Sequence, residues 1–182
     1  MRTPSFRWCL VVLLGMTLLA VIAIKFVFTV EGNAPEQFKE AMRHSPSYVI
    51  YEGLPHQEFE RELLAAELKS KAVREIGGYP FYDEALVLTL EDSKQLTQIL
   101  VDTSIYFSSK LDGSCGGFHP DFAVEWSVGI EQYRTLICLG CGEAKLSGPG
   151  FESHHDVSHF VKKRLREIMT RNRKNRPSRS FQ

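Results

Sequence analysis

The chain has 182 residues, with 22 Lys/Arg balancing 22 Asp/Glu and a hydrophobic fraction of 43%. These proportions fit one globular domain plus accessory segments and exclude a chain that is disordered throughout. The neutral total hides an asymmetry: residues 1–30 carry Arg2, Arg7 and Lys25 with no acid, and residues 162–182 carry nine Lys/Arg against Glu167 alone, which leaves ten basic and 21 acidic side chains between them.

From Trp8 to Ile24 runs WCLVVLLGMTLLAVIAI, without a charge, and apolar character resumes after Lys25 as FVFTV. At a helical rise of about 1.5 Å per residue, positions 8–30 would span roughly 35 Å, enough for a hydrocarbon core of roughly 30 Å. Lys25 can snorkel to the headgroups. A cleaved signal peptide shares the basic start and apolar core, but the nearest small-x-small triplet, Gly32-Asn33-Ala34, lies far from that core and precedes Pro35. The expectation is therefore a transmembrane signal-anchor helix over 8–30. With Arg2 and Arg7 on the short side, residues 1–7 are expected in the cytoplasm and the rest outside it.

PEQFKEAMRH reads as a short helix begun at Pro35 and stopped by Ser45-Pro46-Ser47, a juxtamembrane stalk over 31–47. The domain proper is expected over 48–173. YVIYEGLP reads as a strand and turn. HQEFERELLAAELKSKAVREI reads as one helix, with Phe59, Leu63, Leu64, Leu68 and Ala72 at helical spacing and Gly77-Gly78 as its stop. ALVLTL reads as a buried strand, Asp92 as the cap of a helix carrying Leu96, Ile99 and Leu100, and SIYFS as a further strand.

DFAVEWSVGIEQYRTLIC contains two alternating runs around Gly129-Ile130, and Gly at the first central position suits a two-residue type II′ hairpin turn. This register pairs Trp126 with Tyr133, Val124 with Thr135 and Phe122 with Ile137 on one face. On the other it sets Glu125 against Arg134. The last helix is expected from about Asp156 to Arg173, with Ser153 or His154 near its cap and Val157, Phe160, Val161, Leu165, Ile168 and Met169 on its apolar side. Residues 174–182 read as a basic disordered tail.

The hairpin also brings chemistry together. Cys115 and His119 precede its first strand, Cys138 and Cys141 follow its second, and antiparallel pairing carries the four toward one place. C-x3-H and C-x2-C supply three thiolates and an imidazole, the donor set of tetrahedral Zn²⁺. Outside the cytoplasm, a disulfide from Cys115 to Cys138 or Cys141 would staple the same ends, and spacing leaves both open. A thioredoxin-like site is disfavoured because GEAKLSGPG is too glycine-rich for the helix such a cysteine caps. Haem attachment fails because position 142 is Gly, and the zinc deaminase pattern fails because residue 121 is Asp and residue 137 is Ile.

Asp121, Glu125 and Glu143 are candidate bases if three ligands and a water make a hydrolytic centre. His155 and His159, at i and i+4, and His56 and Glu60, at the same spacing, have metal-capable spacing but read as ordinary polar residues. The basic tail can contact anionic lipid, contact an acidic partner, or fold back on the acidic body. Nucleic acid is not an expected partner of an exported domain.

At YEGLPHQEFERELL, GYPFY, CGGFHPDFAVEW and CLGCGEAK the chain resembles a family of uncharacterised bacterial membrane-anchored proteins that share these blocks in this order. The resemblance runs from about Tyr51 through the last helix. It implies a bacterial origin, a common domain and a place for the YEGLPHQ block beside the Cys/His cluster, and it carries no activity.

The expectation that follows is a single α+β domain with an antiparallel sheet that includes the 121–138 hairpin, flanked by helices and tethered by one N-terminal membrane helix. Its function reads as a binding or structural module, not an enzyme, in which Cys115, His119, Cys138 and Cys141 hold zinc or a disulfide is formed among the three cysteines. A metal-dependent hydrolase on the same ligands and a thiol redox protein are the alternatives.

Overall fold

In a computed structural model of the chain, residues 36–45, 47–102, 106–108 and 117–177 are described. The expected membrane helix over 8–30 lies outside them, as does Cys115. Among the described residues no helix is long and apolar enough to cross a membrane.

The architecture is α+β. Helix α1 (Glu36–His44) leads into strand β1 (Tyr48–Glu52), then α2 (Arg61–Ser70), the strand pair β2 (Val73–Ile76) and β3 (Tyr79–Tyr82), and helix α3 (Leu90–Val101). Strand β4 (Tyr106–Ser108) precedes β5 (Phe122–Val128), β6 (Glu131–Cys138), β7 (Glu143–Gly148), β8 (Phe151–Val157) and the final helix α4 (His159–Asn172). Six strands form one antiparallel sheet in the order β1-β5-β6-β7-β8-β4, while β2 and β3 make a separate two-stranded sheet.

The hairpin between β5 and β6 has the register expected from its alternation: Phe122 opposite Ile137, Val124 opposite Thr135 and Trp126 opposite Tyr133. Gly129 has φ of 61° and Ile130 is not at positive φ, which excludes a type I′ turn and is what II′ requires. On the other face Arg134 Nε lies 2.8 Å from Glu125 Oε1.

Alternation puts Phe122, Val124, Trp126, Tyr133, Ile137 and Leu146 on the face that packs against α1, α3 and α4. The expected stalk is part of this core, because Phe38 and Met42 of α1 are 0% and 1% exposed, with the Phe38 ring edge-on to Trp126 at 5.1 Å. Each such side chain contributes roughly 1.5–3 kcal/mol by leaving water. The opposite sheet face holds a smaller cluster in which Ala123 and Leu136 meet Tyr51, Ile76 and Phe81, so the β2–β3 pair covers it.

Several expectations are corrected. The helix read across 56–76 occupies only Arg61–Ser70, and Val73–Ile76 is a strand paired with Tyr79–Tyr82. Gly77 and Gly78 both have positive φ, at 59° and 81°, so the pair that was read as a helix stop is a hairpin turn. The ALVLTL stretch is not a buried strand: Leu86 makes one bridge to Ile50, Val87 is 83% exposed, and Thr89 ends the stretch as the α3 cap. Thr89 Oγ1, not Asp92, accepts the N–H that caps α3.

The last helix starts three residues later than expected, because FESHHDV is strand β8 and Ser158 is its N-cap. Ser153 and His154 are therefore strand residues, and His155 and His159 share no helix face. Lys174, Asn175 and Arg176 are fastened to the domain, as described below, where a disordered tail was expected over 174–182; residues 178–182 lie outside the described residues.

Candidate metal centre

An antiparallel meander puts alternate turns at opposite ends of the sheet. The β5–β6 and β7–β8 turns share one end. At the other, the β6–β7 turn (139–142) meets the chain entering β5 (117–121) and the chain leaving β1 (53–56). Three segments of the most distinctive sequence thus share one corner, and the register alone dictates it.

The approach is close. Gly53 donates its N–H to the Asp121 carbonyl at 2.7 Å, and a methyl group at position 53 would sit 2.1 Å from the Pro120 carbonyl oxygen. Only glycine fits between these backbones. The YEGLPHQ block therefore borders the HPD segment, and the ring of His56 lies 4.5 Å from that of His119.

Cys138, Leu139, Gly140, Cys141 and Gly142 form a closed turn. Cys141 donates its backbone N–H to Cys138 Sγ at 3.1 Å, and Gly142, at φ 78°, donates its own to the Cys138 carbonyl at 2.9 Å. Cys141 Sγ in turn lies 3.7 Å from the Gly117 carbonyl oxygen. The Cys138 thiol is pushed up by burial, opposed by hydrogen bonds from the Cys141 side chain and backbone and from the His119 backbone. N–H donors aimed at sulfur favour the thiolate, the form that binds metal.

The turn is fixed from outside as well. Asp121 Oδ2 accepts the Leu139 N–H at 2.7 Å, while Arg166 and Lys162 of α4 donate to the carbonyls of Leu139 and Gly140, each at 3.0 Å. Val157 at the end of β8 donates to the Gly142 carbonyl at 2.7 Å.

Of the four ligands expected from the sequence, Cys138, Cys141 and His119 lie among the described residues. Cys138 and Cys141 adjoin one another and His119 reaches Cys138 through its backbone, whereas the His119 ring packs on His56. Burial, reinforced by the His56 charge, holds the His119 imidazole below its ordinary pKa. Among the described residues no group of three or more His, Cys, Asp or Glu is arranged around one point. Of the candidate bases, Glu125 is paired with Arg134, Glu143 with His154 at 3.1 Å, and Asp121 with the Leu139 N–H and Arg176. His155 is buried in β8 with its ring 5.5 Å from Tyr106.

Sequence reasoning set aside His56 and Glu60 and did not consider Glu52 or Arg176. His56 N–H donates to Glu60 Oε2 at 2.8 Å, and Arg176 bridges Glu60 to Asp121. A cleft of about 640 Å³ opens beside these groups, between the Leu139–Gly140 turn and residues 173–177. The hairpin and the YEGLPHQ and CGGFHPD blocks pointed to this corner in the sequence, whereas pairing between Glu60 and Arg176 leaves no local pattern.

Comparison with protein-family models, with curated proteins and with solved structures found no match in any of the three.

Proposed function

We propose that the chain is a membrane-anchored extracytoplasmic binding or structural module whose Cys138–Cys141 turn, together with Cys115 and His119, holds a structural zinc ion. The observation that carries this reading is the Cys141 N–H to Cys138 Sγ bond of 3.1 Å, followed by Gly142 at positive φ. Such a turn sets two cysteines beside one another and aims a peptide N–H at the first sulfur. Cys115 is two residues from Gly117, whose carbonyl lies against Cys141, and a separation of about 7 Å of chain at most leaves it within reach of that place in this proposal. His119 becomes the fourth ligand by turning its ring from His56 toward Cys138. The anchor over 8–30 and the likeness to bacterial membrane-anchored proteins belong to the same proposal.

The contact of Cys141 with Gly117 also favours a second reading, a Cys115–Cys141 disulfide that closes the same corner. One assay separates the two. Metal analysis and thiol titration of purified full chain should find one zinc per chain and thiols that become reactive only after chelation. Metal-free protein with one protected cysteine pair supports the disulfide. Metal-free protein with every thiol reactive overturns both.

A further inference from the structure

Residues 173–177, RKNRP, lie in an acidic groove assembled from four distant parts of the chain. Glu52, at the end of β1, is wholly buried. Its Oε2 accepts the backbone N–H groups of Lys174 and Asn175 at 3.1 and 2.6 Å, and its Oε1 lies 3.0 Å from Arg173 Nε. The Arg173 guanidinium also stands 5.2 Å from the centre of the buried Phe122 ring. Three residues on, Arg176 enters a second pocket, its side chain 8% exposed between Glu60 and Asp121. Between the two, Asn175 Nδ2 donates to the Glu84 carbonyl at 2.9 Å, and Lys174 Nζ reaches Glu84 Oε1 at 2.7 Å.

This is peptide recognition in form. Backbone N–H groups of the segment are read by a buried carboxylate, and two arginines at i and i+3 fill separate charge-complementary pockets. The segment brings no large apolar side chain, so little hydrophobic burial holds it. Its attachment is polar and replaceable by the same chemistry from another chain.

We propose that Glu52, Glu60 and Asp121 form a binding groove for a basic segment of Arg-x-x-Arg spacing, and that Arg173–Arg176 is its cis occupant. A partner protein carrying such a segment competes for the groove. Displacement frees Asp121 from Arg176, and Asp121 holds the Leu139 N–H, so occupancy of the groove bears on the cysteine turn. The groove itself does not depend on the metal reading.

The probe is a fluorescein-labelled peptide of residues 170–177, TRNRKNRP, titrated into detergent-solubilised full chain. With the cis segment weakened by R173A/R176A, the peptide should bind at least tenfold tighter than to the wild type, and adding E52Q/E60Q should remove that gain. A peptide with both groove-filling arginines replaced by lysine should bind at least tenfold more weakly. Equal binding by wild type and R173A/R176A, indifference to E52Q/E60Q, or equal binding of the lysine peptide overturns the proposal. Should R173A/R176A fail to fold, hydrogen exchange on the wild type decides. Saturating peptide should speed exchange of the Lys174 and Asn175 amides at least fivefold, and unchanged rates reject the groove.

Discussion

Asp121 accepts the backbone N–H of Leu139 through Oδ2 at 2.7 Å, so the residue just before β5 fixes the turn that follows β6. Asp121→Ala removes that acceptor and leaves Arg176 with Glu60 alone. If the turn holds zinc, the variant should bind it about tenfold more weakly, as outer-shell substitutions do. A chromogenic chelator titrated against both proteins measures this, and equal affinities would show that the turn needs no outside support.

Gly53→Ala should be among the most damaging substitutions in the chain, because the added methyl meets backbone, not a movable side chain. A loss of about 3 kcal/mol is expected, read from urea unfolding. Gly142→Ala combines positive φ with a methyl 3.2 Å from Lys162 Cδ, which is flexible, so about 1–2 kcal/mol is expected there. A variant at position 53 as stable as wild type would contradict the packing described.

Glu52→Gln keeps the shape but not the charge that faces Arg173 and two N–H groups. Hydrogen bonds to charged groups contribute about 1.5–3 kcal/mol each, and the expected loss is of that order. Proteolysis should then cut between residues 173 and 177 in the variant before the wild type. An unchanged cleavage pattern would mean that Glu52 is not what fastens this segment.

Acid should weaken the junction between α3 and α4. Asp92 is buried and its pKa is held below the ordinary carboxylate value, first by its hydrogen bond from Arg171 and then by that from Asn172. A carboxyl with a depressed folded-state pKa stabilises the fold above its unfolded value, near pH 4, and that contribution fades as pH falls through the folded value. Wild type should therefore lose more stability than Asp92→Asn between pH 5 and 3. Parallel melting curves for the two proteins would remove Asp92 from this role.

The difference between legible and hidden features follows their range. Alternation in FAVEWSV and EQYRTLIC gave the register of β5 and β6, since a strand's period of two leaves one pairing that buries Trp126, Val124 and Phe122 together. VREI and FESHHDV lack that contrast between faces. VREI reads as the end of the preceding helical pattern, and Asp156 and Val157 of FESHHDV as the start of the helix that follows, although both segments are strands. His155, expected on one helix face with His159, lies in β8 for that reason.

By itself the sequence determined the α+β class, the central hairpin and the meeting of the CLGC turn with the FHPD segment, because each follows from periods and turns that act over a few residues. Tertiary structure alone decided that the presumed stalk enters the core, that Gly53 must be small, and that Glu52 seizes a segment more than 120 positions away. Those choices depend on which polar groups burial leaves facing one another. A carboxylate drawn out of water must find donors wherever the fold brings them, and nothing in its neighbours along the chain names the donor.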